Sequence, residues 1–227
     1  MISYAILIPA RYESTRYPGK PLVELDGVPM IKRVYDVCSS TGIDTFVVTD
    51  DERIGKIFNK DDVIYTSPDA ENGTERVCLA LQDSRLKYYK KFINVQGDMP
   101  DVTVDIVSAI VDLLDHGSDV ATVYTEMDPE LASDPNTVKM IKGTSNAQWF
   151  GRGFKYGYWH LGVYGYTREA LQYYPALKVT EEEQIEKLEQ LRWIKNGWQI
   201  SVNRVQYNGV EINSPEDVEK WYNKNSQ

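Results

Sequence analysis

Residues 4–21 read YAILIPARYESTRYPGKP, and this stretch decides the architecture. Residues 4–8 are apolar and rich in branched side chains, with Pro9 closing the run. A short apolar run without polar alternation reads as a strand buried on both faces, which is the mark of a parallel sheet. The rest of the stretch gathers Arg11, Arg16 and Lys20 with hydroxyls, Gly19 and Pro21. In open α/β sheets ligands collect beyond the carboxyl ends of the strands. Two readings of the loop stand side by side. Arginine forks and a lysine point charge on a Gly/Pro-fixed turn suit a wrapped polyphosphate; the alternative is a basic surface loop. A Walker loop is excluded, because Gly19-Lys20 runs into Pro21 and lacks the upstream glycine. The absence of Gly-x-Gly-x-x-Gly after the strand argues against a dinucleotide.

Downstream, apolar strand-like runs at 45–48, 63–65, 92–95 and 120–124 alternate with helix-period segments at 29–39, 54–58, 74–81 and 102–114. That alternation predicts an α/β fold: a mostly parallel sheet with helices on both faces. The second half differs. Runs at 138–141, 148–150 and 161–166 follow one another without helices, around a Gly- and aromatic-rich stretch at 151–159. A small antiparallel insertion at 144–166, acting as a lid within a single domain of 1–227, is expected. Thr180 starts a helix with Glu183 at the capping-box position and an apolar stripe of Ile185, Leu188, Leu191 and Ile194. A strand over 198–205 and a helix opened by Ser214-Pro215 complete the chain.

Composition narrows the function. The 227 residues are 42% hydrophobic and 26% charged, the balance of a globular protein. Lys plus Arg is 25 and Asp plus Glu is 34, a net charge of −9, which disfavours a nucleic-acid backbone as partner. No apolar run is long enough to span a membrane, and residues 1–9 lack the basic start and cleavage site of a secretory leader. Cys38 and Cys78 sit in apolar helical stretches and read as buried thiols of a cytoplasmic protein. With two histidines and no Cys-x-x-Cys, a zinc site is excluded.

A second strand end reads Asn94-Val-Gln96-Gly97-Asp98-Met-Pro100. A carboxylate just past a buried strand is placed either to hold a hard cation such as magnesium or to cap a turn. Together with the first loop, with Asn72-Gly73-Thr74-Glu75-Arg76, Asp134-Pro-Asn-Thr-Val-Lys139, His160-Leu-Gly-Val-Tyr-Gly-Tyr166, Glu186-Lys-Leu-Glu-Gln-Leu-Arg192 and Ser214-Pro-Glu-Asp217, this motif resembles the CMP-Kdo synthetase (3-deoxy-manno-octulosonate cytidylyltransferase) family. The resemblance spans nearly the whole chain in the family's order.

The resemblance implies a nucleotide-diphospho-sugar transferase-like fold that joins CMP from CTP to a 2-keto-3-deoxy sugar acid and releases pyrophosphate. It implies Pro9, Ala10, Arg11, Arg16, Lys20, Asn72, Gly73, Arg76 and Gln96 around the nucleotide, with Arg11, Lys20 and Asp98 catalytic. Arg152, His160, Tyr164, Glu189 and Gln190 fall at the sugar positions, 144–166 becomes the sugar-binding and dimerisation segment, and a homodimer is implied. Magnesium is the implied cofactor, on Asp98. Each residue also has a plainer reading: His160 as a hydrogen-bonded core histidine, Glu189 and Gln190 as the solvated side of a helix.

Two features depart from the family pattern. The slot of the second metal-binding aspartate reads Ile212-Asn213-Ser214-Pro215, and Glu211 lies two residues earlier on the same face of an extended stretch. Both Asn213 and Glu211 are therefore candidate metal ligands. The family's longer segment after its Ser-Arg pair is missing, and Phe150-Gly-Arg152 runs through aromatics to Trp159-His160, where the family has Arg before His. Two alternatives remain open: a CMP-sialate-type synthetase, and a CTP-binding protein that has lost catalysis.

Overall fold

The computed structural model describes residues 3–13 and 17–225, so Arg16 lies outside the described residues. In chain order the strands are β1 (Tyr4–Ala10), β2 (Glu24–Leu25), β3 (Val28–Pro29), β4 (Asp44–Thr49), β5 (Val63–Tyr65), β6 (Lys91–Asn94), β7 (Val120–Thr125), β8 (Lys139–Lys142), β9 (Ala147–Gly151), β10 (Tyr158–Thr167) and β11 (Ser201–Arg204). The helices are α1 (Met30–Ser40), α2 (Glu52–Gly55), α3 (Gly73–Ala80), α4 (Val104–Asp115), α5 (Pro129–Ser133), α6 (Arg168–Tyr173), α7 (Glu181–Glu186), α8 (Gln190–Lys195) and α9 (Pro215–Asn225).

The main sheet runs in the order β11-β7-β10-β6-β1-β4-β5. β1 pairs in parallel with β4 on one side and β6 on the other, β4 with β5, and β11 with β7. The chain leaves β1 toward β4 and returns to β6 on its opposite edge. That reversal of direction opens a crevice beyond the carboxyl ends of β1 and β6.

Alternate residues of β1 feed two cores. Ala5 and Leu7 pack with Val77, Phe92 and Tyr166 on one face. Ile6 and Ile8 pack with Ile31, Val34, Ile106 and Ile110 on the other. Both faces are covered, as the unbroken apolar run requires. A third cluster of Leu25, Met30, Ile212 and Trp221 fastens α9 to the β2–β3 hairpin. No helix among the described residues is long and apolar enough to cross a membrane.

Two expectations are corrected. The stretch 144–166 is not one insertion. β9 pairs with β8 in an antiparallel extension, but β10 enters the centre of the main sheet, antiparallel to both β6 and β7. Arriving from the extension, it runs against its neighbours, and Leu161, Val163 and Tyr166 become core. The helix expected from Thr180 through Ile194 is broken into α7 and α8 at Lys187, whose φ is 55°. Glu183 and Arg192 are nine residues apart and form a 2.6 Å ion pair. A continuous helix would separate them by about 13.5 Å along its axis. The break leaves Ile185 70% exposed while Leu188 and Leu191 are buried.

Candidate active site

The crevice begins where β1 gives way to Arg11. Gly19, at φ 72°, donates its N–H to the Tyr12 carbonyl at 2.8 Å and closes the loop. The left-handed backbone favours glycine there, and an added Cβ would sit 3.2 Å from the Tyr12 ring. Arg53 stacks on the same tyrosine, its guanidinium carbon 3.2 Å from the centre of the Tyr12 ring. The turn delivers Lys20 to Asp98, Nζ to Oδ2 at 2.7 Å. Two motifs 78 residues apart in sequence thus meet in one ion pair.

Pro9, Ala10, Arg11, Lys20, Asn72, Gly73, Arg76, Gln96, Asp98 and Asn213 line one cleft of about 250 Å³. Every described residue assigned to the nucleotide is therefore in the same cleft. A Cβ at 73 would lie 3.2 Å from the Gln96 amide, and one at 97 would lie 3.3 Å from the Pro9 carbonyl, so both glycines sit where the backbone packs tightly. Asn72 caps α3, its side chain accepting from the Glu75 N–H at 2.9 Å. Arg76 lines the cleft with its guanidinium already partnered. Its buried guanidinium is committed to Thr66 Oγ1 at 2.9 Å and Asp50 at 3.1 Å, so it buttresses the wall. Asp51 caps α2, its carboxylate accepting from the Arg53 N–H at 2.8 Å.

The carboxylates around Lys20 come from two distant segments, the loop after β6 and the stretch before α9. Asp98 accepts the Ile212 N–H on its carbonyl at 3.1 Å, and Asp101 accepts the Val210 N–H at 2.9 Å and the Trp221 indole N–H at 2.7 Å. These bonds press the segment carrying Glu211 against the loop carrying Asp98. Burial pushes the Glu211 carboxyl from 4.5 up to about 8, with the Asp98 charge adding to the rise and Lys20 and Arg152 opposing it. A divalent cation relieves such crowding of negative charge. No closed cage of three or more His, Cys, Asp or Glu forms among the described residues. Asp98 and Asn213 line the cleft, and Glu211 lies in the field of Asp98 behind them; magnesium is a cation that takes one or two carboxylates and keeps waters and phosphate oxygens for the rest. Asn213, on the cleft wall, offers a neutral oxygen.

Of the residues assigned to the sugar, His160 and Tyr164 lie on β10, Arg152 follows β9, and Glu189 and Gln190 open α8. A bulge shifts the register between His160 and Tyr164, with Gly162 at φ 63°, and brings the two rings within 5.4 Å. His160 is buried, and burial, with Arg152 nearby, lowers its pKa to about 3. Glu189 accepts the Thr74 N–H at 3.0 Å. Burial raises its carboxyl from 4.5 to about 7, against the pull of the Thr74 hydrogen bonds. Gln190 is only 3% exposed and Glu189 is half-buried, so Gln190 is not on the solvated helix side. The Tyr164 phenol, held protonated by burial, feels both Glu189 and Glu211. Arg152 is fixed through its backbone, the N–H on Glu186 at 3.0 Å and the carbonyl on Lys139 at 3.1 Å.

Sequence reasoning missed three features. Asn94 on β6, registered against Tyr164, is fully buried with both side-chain polar atoms unpaired; its signals were an amide inside an apolar strand and its place at the head of the Asn94–Pro100 motif. Lys139 is buried at the foot of Arg152, and Glu75, Glu183 and Arg192 form a network at the edge of the site.

Residues 5–200 match the family model of the cytidylyltransferases. The chain belongs to the cytidylyltransferase family. It is 39% identical to a 3-deoxy-manno-octulosonate cytidylyltransferase from Zea mays, over 94% of this chain and 78% of that one. It is 37% identical to an 8-amino-3,8-dideoxy-manno-octulosonate cytidylyltransferase from Shewanella sp. (strain ANA-3), over 96% and 97% of the two chains. Among solved structures, a CMP:2-keto-3-deoxy-manno-octonic acid synthetase complexed with CTP superposes with a TM-score of 0.88 at 33% identity, covering 99% of each chain. A 4-diphosphocytidyl-2C-methyl-D-erythritol synthase from Anaerococcus prevotii shares the fold alone, with a TM-score of 0.65 at 17% identity. The mostly parallel sheet with its antiparallel extension is thus the cytidylyltransferase fold.

Proposed function

We propose that this cytidylyltransferase couples CTP to Kdo, or to its 8-amino analogue, to give the CMP-sugar and pyrophosphate. The observation that carries the reading is the convergence of Arg11, Lys20, Gln96 and Asp98 with the first turn of α3 in one cleft. The anomeric oxygen attacks the α-phosphorus, a new O–P bond forms, and the bond to the bridging oxygen of pyrophosphate breaks. The hydroxyl proton passes to solvent. Such a transfer needs alignment and charge neutralisation, with little covalent chemistry from the protein. Arg11 and Lys20 supply cations to the triphosphate, Asn72 and Gln96 provide polar contacts for the nucleotide, and Glu189, Gln190, His160, Tyr164 and Arg152 bound the acceptor's side.

Asp98 and Glu211 are the carboxylates that would hold magnesium, with Asn213 beside them. When bound, the ion neutralises phosphate charge and orients the leaving group. Lys20 on Asp98 is the cation nearest that carboxylate, and it lies in the same cleft for the incoming phosphates. We further propose a homodimer, checked by sedimentation, working in the cytoplasm, where CTP is available and the free thiols Cys38 and Cys78 persist.

The test is pyrophosphate release from CTP and magnesium with Kdo, 8-amino-Kdo or N-acetylneuraminate as acceptor. Release with either octulosonate supports the reading. Release with neuraminate alone moves the assignment to a CMP-sialate-type synthetase, and silence with all three, beside measurable CTP binding, points to an acceptor outside this panel or to a binding-only protein.

A further inference from the structure

Arg192 is 3% exposed and holds two acids from different helices. Its Nε lies 3.0 and 2.9 Å from the Glu183 carboxylate oxygens, and its Nη2 lies 2.6 Å from Glu183 Oε1 and 3.1 Å from Glu75 Oε1. Its guanidinium also lies 4.4 Å from the centre of the Tyr174 ring. Both acids occupy the same place in their helices. Glu183 follows the cap Thr180, which accepts the Glu183 N–H at 3.3 Å. Glu75 follows the cap Asn72, and its second oxygen accepts the Glu71 N–H at 3.0 Å. One arginine therefore ties together the N-terminal turns of α3 and α7.

Those turns carry different substrates' residues. The α3 turn presents Asn72 and Gly73 to the nucleotide cleft. The α7–α8 hairpin carries Glu189 and Gln190. The hairpin meets the α3 turn through two polar ties: Glu189 on the Thr74 N–H, and Arg192 on Glu75. The first is made by a residue assigned to the acceptor side, whereas Arg192 and Glu75 are not among the residues that line the nucleotide cleft. Plain helix cohesion would be served by the Arg192–Glu183 pair alone, without reaching α3.

We propose that Arg192 and Glu75 are positioning residues that register the acceptor pocket against the nucleotide pocket, so that each substrate's affinity depends on the tie. The inference rests on the functional reading above for its kinetic form. Its physical form is that 71–76 and 186–192 move as one unit.

Removing one partner of a buried ion pair is strongly destabilising, so Glu75→Gln is the primary variant. It keeps the Arg192–Glu183 pair and a residue that still suits the helix start. Expected are KM values for CTP and for the sugar acid that both rise about 5- to 20-fold, with kcat changed less than about threefold. Arg192→Lys should recover part of the loss caused by Arg192→Met. A lower melting temperature with both KM values unchanged makes the tie structural only and overturns the proposal, as does a rise confined to one substrate. Hydrogen exchange on the free protein separates this inference from the functional one. Glu75→Gln should quicken exchange in 72–76 and in 186–192 together. Quickening limited to 72–76 overturns the registration even if the wild type proves active on another acceptor.

Discussion

The Thr122 hydroxyl donates to the Val163 carbonyl at 2.7 Å and lies 2.9 Å from His160 Nε2. A hydroxyl has one proton, so Thr122 accepts from His160 and the imidazole proton sits on Nε2. With the ring kept neutral by burial, Nδ1 is left as an acceptor, which matches a donor such as a sugar hydroxyl. His160 is thus both core histidine and candidate acceptor-side ligand, held in one tautomer by a residue the motif does not contain.

Thr122→Val removes that acceptor and leaves a buried N–H unpaired, at a cost of about 1–3 kcal/mol. Thermal unfolding should show the loss, and the KM for the sugar acid should rise more than that for CTP. Nitrogen NMR of the wild type should show an unchanged Nε2–H tautomer from pH 5 to 8. The sign follows from the lowered pKa: between about 3 and 6.5 the unfolded chain binds the extra proton. His160 therefore contributes stability above pH 6.5 that is lost as pH falls toward 3.

Glu189 acts in the opposite sense. Its folded carboxyl titrates near 7 against an ordinary 4.5, so the folded state binds the proton more tightly. Its contribution is full below pH 4.5 and is lost as pH rises through 7, by about 2 kcal/mol after discounting for its part exposure. Glu189→Gln should remove this slope. Melting temperatures of the two proteins should converge or cross over pH 5–8, with their difference changing by roughly 4–8 °C.

Lys20→Ala deletes the cation that meets Asp98 in the cleft. In a reaction governed by charge neutralisation, loss of one such group lowers kcat by about 10²–10³. The expected result is a folded protein with a near-normal melting curve and pyrophosphate release reduced to that extent. An effect under tenfold would assign Lys20 to the surface-loop reading.

Glu211→Gln should weaken magnesium-supported activity far more than Asn213→Ala, by about 10- to 100-fold in the magnesium concentration required. Glu211 shares the field of Asp98, whereas the backbone N–H of Asn213 is engaged by Asp217 at 2.9 Å in the start of α9. A magnesium titration of the two variants decides between them, and equal shifts would remove Glu211 from the ligand set.

Much of this was legible in the chain. The apolar runs at β1, β4, β6 and β7 marked themselves by length and branching, and the loops after β1 and β6 stood out as cations and a carboxylate at strand ends. Periodicity failed where burial has two explanations. The 180–194 stripe is apolar at helical spacing, yet the buried Glu183–Arg192 pair requires a break at Lys187. The residues of β10 alternate like a lid strand, but their partners are the central strands β6 and β7. Arg76 had the residue type of a ligand-binding group, and only folding committed it to Asp50.

Hydrophobic patterning alone set the parallel strands, most of their covering helices and the charged groups at the strand ends, because it records which faces leave water. Tertiary structure decided the pairings: Lys20 with Asp98, Glu211 beside that same carboxylate, Thr122 under His160, and Arg192 between two helix starts. Those contacts join residues far apart along the chain, and no local pattern specifies them. Their strengths come from distance and from burial, and both exist only once the chain is folded.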